Sequence, residues 1–385
     1  MARVLVIHRG VMTKGGGEAV CLNVLEALQA DHDVTLLTTG QPSLAELNEY
    51  YGTSVSDVQI YTNPALTLSE TIPFDLARLQ SALFARMCRQ TVAGRYDVII
   101  DTRTEVYHPE PATERARFVR YAHYPADFEM DRNPSSQVRR RVIAAYDRFC
   151  DAIAPPSMGF NIELLVNSEW TAKQFSARGD EDSQVVYPPV FTDDIDPLPW
   201  QHRSDTILTI GRLEPKKKVL RMIEIVSRLR KRGHDLQYHI VGPEPSALSV
   251  PLSGSYADRV RKRATQFDFV HLEGGVTRDR LTELLASTKY GLHGMKAEPF
   301  GIAVAELVAG GAIPFVPRNG GQQEVVDFTE ELLYDTTGEA IEKMDRVMRD
   351  NELQQRVRAQ LPDIEARFGR ERFQREIRAV TSPND

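Results

Sequence analysis

The sequence predicts an α/β protein of two parallel-sheet domains, and three observations carry that expectation. Short apolar runs alternate with amphipathic helical stretches from end to end, the pattern of strand–helix–strand layering. The alternation stops at ‘FTDDIDPLPWQHRSD’ (191–205), which is acidic, proline-bearing and aperiodic, and then restarts. The chain's 385 residues also exceed what one ordinary core takes in.

In the first half, 3–8, 33–38, 96–101, 117–123, 163–168 and 184–189 read as strands, with helices expected over 17–29, 76–92 and 137–150. The opening apolar run in ‘MARVLVIHRG’ is too short for a signal-peptide core or a membrane span and suits a buried first strand. After the break, 206–211, 236–242, 269–274, 289–294 and 312–317 form a second set of strands, each followed by a helical or glycine-bearing stretch. The final ‘IEARFGRERFQREIRAVTSPND’ is a charged helix of the kind that packs back across a domain boundary. The expected domains are 1–192, 203–368 and a crossover helix over 369–385, with the hinge inside 191–205. Ligands of open α/β sheets collect beyond the carboxyl ends of the strands, so two such sheets facing each other would share a site in one cleft.

With 42% hydrophobic and 26% charged residues the chain is of ordinary globular composition, neither disordered nor fibrous. A net charge of −7 argues against general nucleic-acid binding, and no nucleic-acid partner is expected. Cys21, Cys88 and Cys150 lie far apart without metal-type spacing, which fits reduced thiols in a cytoplasmic compartment. No stretch approaches the roughly 20 apolar residues of a membrane span, so membrane contact is expected only from the surface, at the inner face.

Four strand–loop–helix turns carry the chemistry. ‘HRGVMTKGGGEAVCLNVLEAL’ places Gly15, Gly16 and Gly17 before a helix, where backbone N–H groups approach an anion closely. It matches neither the dinucleotide-binding glycine fingerprint nor a Walker A loop. ‘TIGRLEPKKKVL’ sets Arg212 at a strand end and Lys216, Lys217 and Lys218 at the following helix start. Cations there oppose the helix dipole, which points to a bound anion such as a diphosphate. In ‘KAEPFGIAVAELVAGG’, Glu298 lies in a loop and an exposed-looking Phe300-Gly301 pair leads into a helix whose apolar run contains Glu306. Carboxylates accept from sugar and ribose hydroxyls, and the helix-start N–H groups bind phosphate or sugar oxygens. ‘VPRNGGQQEVV’ gives the fourth turn at Gly320-Gly321, with Glu324 following.

The stretches ‘GRLEPKK’, ‘EPFGIAVAE’ and ‘NGGQQE’ resemble, in order and spacing, family 4 of the nucleotide-sugar glycosyltransferases, retaining enzymes of the GT-B fold. ‘GGGE’, ‘YAHYP’, ‘NSEWT’, ‘VVYPP’ and ‘GLHGMKAEPFGIAVAE’ extend the likeness over nearly the whole chain, and look most like the subgroup that adds α-1,2-mannose to the dolichol-linked oligosaccharide. The resemblance implies two Rossmann-like domains facing each other across a cleft, an acceptor domain first and a nucleotide-sugar domain second. It implies that Arg212 and Lys217, with Lys218 where the family usually has glycine, neutralise the donor diphosphate. Glu298 would bind donor-sugar hydroxyls beside the N–H groups of Phe300, Gly301 and Ile302, and Glu306 the ribose. Gly16 and Gly17 would line the donor from the first domain, and His123 would stand near the anomeric carbon.

The expected reaction transfers a hexose, mannose from GDP-mannose, to a lipid-linked glycan with retention of configuration. The GDP- or UDP-linked donor is a substrate, and no cofactor is expected. The three D-x-D triplets, at 31–33, 180–182 and 194–196, do not follow strands where a diphosphate-bound metal would sit, so no metal is expected either. Electrostatic stabilisation of the departing diphosphate is then the main requirement, with domain closure excluding water. Stretches 76–90 and 137–149 combine apolar faces with Arg78, Arg86, Arg89 and Arg139–Arg141, which suits peripheral contact with an anionic membrane. A UDP-sugar transferase with another acceptor, a sugar-nucleotide epimerase, a phosphorylase and a non-catalytic binding protein remain as alternatives.

Overall fold

In the computed structural model, which describes residues 1–62, 77–92, 96–103, 116–125, 137–154, 162–179, 182–242 and 255–381, the chain divides into two units. One comprises Met1–Pro189 with Arg370–Asp385, the other Val190–Gly369.

The first unit holds seven parallel strands: β1 (Arg3–Ile7), β2 (Asp33–Leu37), β3 (Gln59–Tyr61), β4 (Val98–Asp101), β5 (Arg117–Ala122), β6 (Ile162–Val166) and β7 (Ser183–Val185). Their order is β3-β2-β1-β4-β5-β6-β7, so the winding reverses between β1 and β4. Val4 to Ile7 are all buried, which is why β1 reads as an uninterrupted apolar run. The edge strand β3 escaped the sequence reading because, at three residues with only Ile60 turned partly inward, it has no pattern to show.

Before the crossing into the second unit, five described helices flank this sheet: α1 (Gly16–Leu28), α2 (Leu44–Tyr51), α3 (Ala77–Val92), α4 (Gln137–Ile153) and α5 (Glu169–Ser176). Helix α1 is buried on more than one side, Asn23 included. The cause is the chain's last helix, Arg370–Thr381, whose Phe373, Ile377 and Val380 enter the same core as Val20, Val24 and Leu25. Gln374 Nε2 donates to Glu26 Oε2 at 2.6 Å and Arg378 Nε to the Ala27 carbonyl at 2.9 Å.

The second unit holds six parallel strands: β8 (Ser204–Ile210), β9 (Gln237–Val241), β10 (Val270–Gly274), β11 (Thr288–Leu292), β12 (Ile313–Pro317) and β13 (Leu333–Tyr334). The order β10-β9-β8-β11-β12-β13 reverses between β8 and β11. Its helices are α6 (Val219–Lys231), α7 (Tyr256–Ala264), α8 (Arg278–Ser287), α9 (Ile302–Ala309), α10 (Gln322–Val325), α11 (Thr337–Arg349), α12 (Asn351–Gln360) and α13 (Ile364–Phe368). The segment Arg370–Thr381 is therefore α14.

Residues 191–205, read from sequence as a hinge, belong instead to the second unit. Arg278 reaches Asp194 at 2.7 and 2.9 Å and the Phe191 carbonyl at 2.9 Å. The buried Arg203 donates to the carbonyls of Leu198 (2.7 Å), Thr288 (3.1 Å) and Gly310 (2.5 Å). Such a segment is anchored by guanidinium groups on backbone oxygens and one carboxylate, so it carries no hydrophobic periodicity to read.

Candidate functional site

Each sheet reverses its winding at a point where ligands of open α/β folds collect; His123 and Gly17 meet at the first such point, and Lys217 and Glu298 at the second. In the first unit, His8 follows β1, Thr102 follows β4 and His123 follows β5. Thr102 Oγ1 donates to the Ile7 carbonyl at 3.1 Å, so in its 2.8 Å contact with His8 the ring Nδ1–H is the donor. His123 Nε2 lies 3.2 Å from the Thr102 carbonyl. A carbonyl only accepts, so Nε2 carries the proton and Nδ1 is the basic nitrogen. One threonine thus orients both imidazoles. Burial, with His8 adding to it, pushes His123 down to about 4, which leaves a neutral ring near pH 7.

The glycine turn is partly occupied by its own helix. Glu18 accepts from the Gly15 N–H at 2.9 Å and from the Thr13 hydroxyl. Its Oε1 stands 3.8 Å from His8 Nε2. Burial acts to raise this carboxyl, and the neighbouring His8 and the Thr13 hydroxyl outweigh it and hold it at about 2. An anion entering the turn meets the N–H groups of Gly16 and Gly17, which start the helix and lack intrahelical acceptors. A Cβ on Gly17 would lie 3.3 Å from His123 Nε2 and 3.6 Å from His8 Cε1, so the absence of a side chain there lets the two rings close in. The sequence reading gave no role to His8, Glu18 or Thr102. The signals available were a histidine closing the first strand and the glutamate of ‘GGGE’.

In the second unit, the loop after β8 brings Lys217 to Glu298, with Nζ 2.6 Å from Oε2. His293, just past β11, places Nε2 3.2 Å from the same oxygen. Burial opposes ionisation of Glu298, but the Lys217 charge and His293 outweigh it and hold the carboxyl well below its usual range. Arg212 is 62% exposed and pairs with Glu214 at 3.1 Å. Lys218 caps α6 in the left-handed region at φ 56°, which explains why glycine suits that position. Glu306, on α9, accepts from Arg278 Nη1 at 2.6 Å. Burial pushes its carboxyl up and Arg278 draws it back.

Phe300 was expected to be exposed, and it is not. Its ring is 2% exposed and packs edge-on against Phe368 at 5.2 Å, which anchors the start of α9. Gly301 at φ 105° then caps the helix, with Ile302 its first residue. Packing also accounts for Gly320-Gly321. Gly321 N–H donates to the Glu298 carbonyl at 2.7 Å, and a Cβ there would lie 2.1 Å from the Pro299 carbonyl oxygen. The second glycine pair therefore braces the loop that carries Glu298.

Asp194, of the third D-x-D triplet, is committed to Arg278, and residues 180–181 lie outside the described residues. Of the arginines expected to face a membrane, Arg78 is paired with Asp147 (3.5 Å) and Asp151 (2.9 Å). The side chains of Arg89, Arg139 and Arg140 lie outside the described residues. Helix α4 does expose Val142 (63%) and Phe149 (57%) beside Arg141 and Arg148. Among the described residues no helix is long and apolar enough to cross a membrane.

Residues 190–361 match the family described as Glycosyl transferases group 1. The chain is 26% identical over 249 residues to the GDP-Man:Man(3)GlcNAc(2)-PP-Dol alpha-1,2-mannosyltransferase of Dictyostelium discoideum, covering 58% of this chain and 48% of that protein. It is 25% identical over 174 residues to the protein of the same description from Homo sapiens, covering 41% and 34%. The chain thus spans half or less of the length of these relatives. Among solved structures, Anabaena HepE in complex with UDP and glucose is similar at a TM-score of 0.67, 15% identity and 99% coverage of both chains. WaaG, a glycosyltransferase involved in lipopolysaccharide biosynthesis, is similar at 0.66 and 14%, covering 99% of this chain and 100% of that one. The likeness runs through both units and shows the GT-B type of fold, two Rossmann-like α/β units.

Proposed function

We propose that this chain, which carries a group 1 glycosyl transferase domain, is a metal-independent retaining hexosyltransferase that moves mannose from GDP-mannose to a lipid-linked glycan. One observation carries the reading: Lys217 and Glu298 meet at the point where the second sheet reverses, inside the span that matches the family. The relatives' printed descriptions supply the donor and acceptor class.

Transfer from a nucleoside diphosphate sugar separates an oxocarbenium-like sugar from a departing diphosphate, so charge on the leaving group is what must be stabilised. Arg212 and Lys217 present cations at the end of β8, and the backbone N–H groups at the start of α9 add dipoles of the same sense. Glu298 accepts hydrogen bonds from hexose hydroxyls, and Glu306, held by Arg278, takes the ribose. His123, neutral and with Nδ1 basic, accepts from a sugar hydroxyl near the reacting carbon. The acceptor proton leaves with the diphosphate oxygen on the same face, which retains the configuration without a protein nucleophile. The exposed Val142 and Phe149, flanked by Arg141 and Arg148, support peripheral contact of α4 with an anionic membrane.

The test is consumption of GDP-mannose and of UDP-sugars with and without a lipid-linked glycan. Acceptor-dependent transfer from GDP-mannose is the expected result. Acceptor-dependent transfer from a UDP-sugar instead would overturn the donor assignment. A changed sugar released without acceptor would mean an epimerase, and binding without turnover a non-catalytic protein.

A further inference from the structure

His293 stands out among the buried polar side chains of the second unit. It is 4% exposed, and its backbone is fixed from two sides. The N–H donates to the Phe315 carbonyl at 2.9 Å, and the carbonyl accepts from the Tyr334 hydroxyl. Its ring therefore has little freedom to drift. Nε2 lies 3.2 Å from Glu298 Oε2 but is not in line for a hydrogen bond, and it makes no other among the described residues. Burying an imidazole N–H without a full partner is unfavourable, so its aim at this carboxylate calls for a reason beyond packing.

We propose that His293 is a positioning residue for the donor sugar: with Lys217 it holds Oε2 of Glu298, so that Oε1 is the oxygen presented to the transferred hexose. The geometry is specific about which oxygen. Lys217 Nζ and His293 Nε2 converge on Oε2 at 2.6 and 3.2 Å, while Oε1 takes no hydrogen bond from the described residues. Lys217 alone would leave the carboxylate able to rotate, since a flexible ammonium is a point charge without directional preference. The Nε2–H dipole 3.2 Å from Oε2, carried just past the rigid end of β11, opposes that rotation. The ring need not be charged for this role, and burial lowers its proton affinity, so the neutral Nε2–H form is the one that serves. The inference rests on the donor-site reading and adds to it a residue that acts only when a sugar is attached to the diphosphate.

That last point supplies the test. Calorimetric titration of GDP and UDP, and of GDP-mannose and UDP-glucose, is compared for the wild type, His293→Ala and His293→Gln. Glutamine keeps an N–H donor at a reach close to that of Nε2. The expected result is that His293→Ala binds the nucleoside diphosphate within about twofold of the wild type but the matching nucleotide sugar about tenfold more weakly. His293→Gln recovers most of that loss, and in turnover the donor KM rises more than kcat falls. Equal loss for diphosphate and nucleotide sugar, no loss for either, or no rescue by glutamine would each overturn the proposal, because a purely structural histidine gives those patterns. A wild-type protein that binds no nucleoside diphosphate overturns the donor-site reading itself. One that binds them, with the sugar adding nothing in any variant, overturns only the part assigned to His293.

Discussion

Lys217 Nζ and Glu298 Oε2 lie 2.6 Å apart, with side chains 18% and 16% exposed, and the two members of the pair are not equivalent. Removing the lysine leaves a largely buried carboxylate with only His293 beside it. Removing the glutamate leaves an ammonium on a flexible stem that can reach water. Lys217→Met is therefore expected to destabilise by roughly 2 kcal/mol, a fall in Tm of about 4–8 °C, and Glu298→Gln by clearly less. Both variants should cut transfer by roughly a hundredfold or more, since each removes a charge that the proposed function assigns to the donor. Thermal unfolding and initial rates measured side by side check both halves. Near-normal turnover in the two variants would end the site assignment.

Glu18 gives a pH prediction with a definite sign. Its carboxyl is held at about 2 in the folded state, below the ordinary glutamate value of about 4.3. Between those values the unfolded chain binds the proton more readily, so the contribution of Glu18 to stability is present above about 4.3 and is lost as pH falls toward 2. Urea unfolding of the wild type and of Glu18→Gln should differ by roughly 2–3 kcal/mol at pH 6, and the gap should narrow steadily on acidification to pH 3. A gap independent of pH would show that Glu18 acts through packing alone.

The strands that place these groups were readable because β1, β4 and β12 and the middle of β8 are buried, and most of their residues are apolar. The pairing of Lys217 with Glu298 falls on residues singled out for a related reason, since charged residues past the ends of such runs have no packing role to explain them. His293 and Thr102 were hidden because each looks like the last residue or so of a strand, and what matters is which neighbour its polar atom meets. That depends on strands distant in sequence: Thr102 binds His8 across 94 positions. Phe300 misled in the opposite direction. A phenylalanine beside glycine in a polar loop suggests exposure, whereas its ring packs against Phe368, 68 positions on, and is buried. The partner of Glu306 was equally remote, since Arg278 lies on a different helix.

Gly17 separates conformational from chemical need. An alanine at this first-turn helical position should favour the helix by about 0.5–1 kcal/mol, so Gly17→Ala is not expected to lower Tm. Its methyl would sit 3.3 Å from His123 Nε2, tighter than ordinary contact, and the ring must give by a few tenths of an ångström. Because Thr102 holds that ring, the displacement weakens its hydrogen bond and misplaces Nδ1. Transfer should fall about tenfold or more in a protein that unfolds at the same temperature or slightly higher. Unchanged rates would remove His123 from the reacting centre.

Lys218 tests whether a third cation serves the diphosphate or only tolerates its position. Its φ of 56° places a long side chain in the left-handed region at the N-cap of α6, which costs roughly 1–2 kcal/mol for a residue with a Cβ. Glycine relieves that strain at the expense of about 0.5–1 kcal/mol of added freedom in the unfolded chain. Lys218→Gly is therefore expected to be more stable than the wild type by roughly 0.5–1 kcal/mol, while Lys218→Ala, which keeps the strain, is not. The two variants lose the same charge, so their affinities for a nucleoside diphosphate should match each other and fall about threefold below the wild type if the ammonium contributes at the surface of the site. Equal stability of the glycine and alanine variants would show that the backbone there is not strained, and wild-type affinity in both would leave the diphosphate to Arg212 and Lys217.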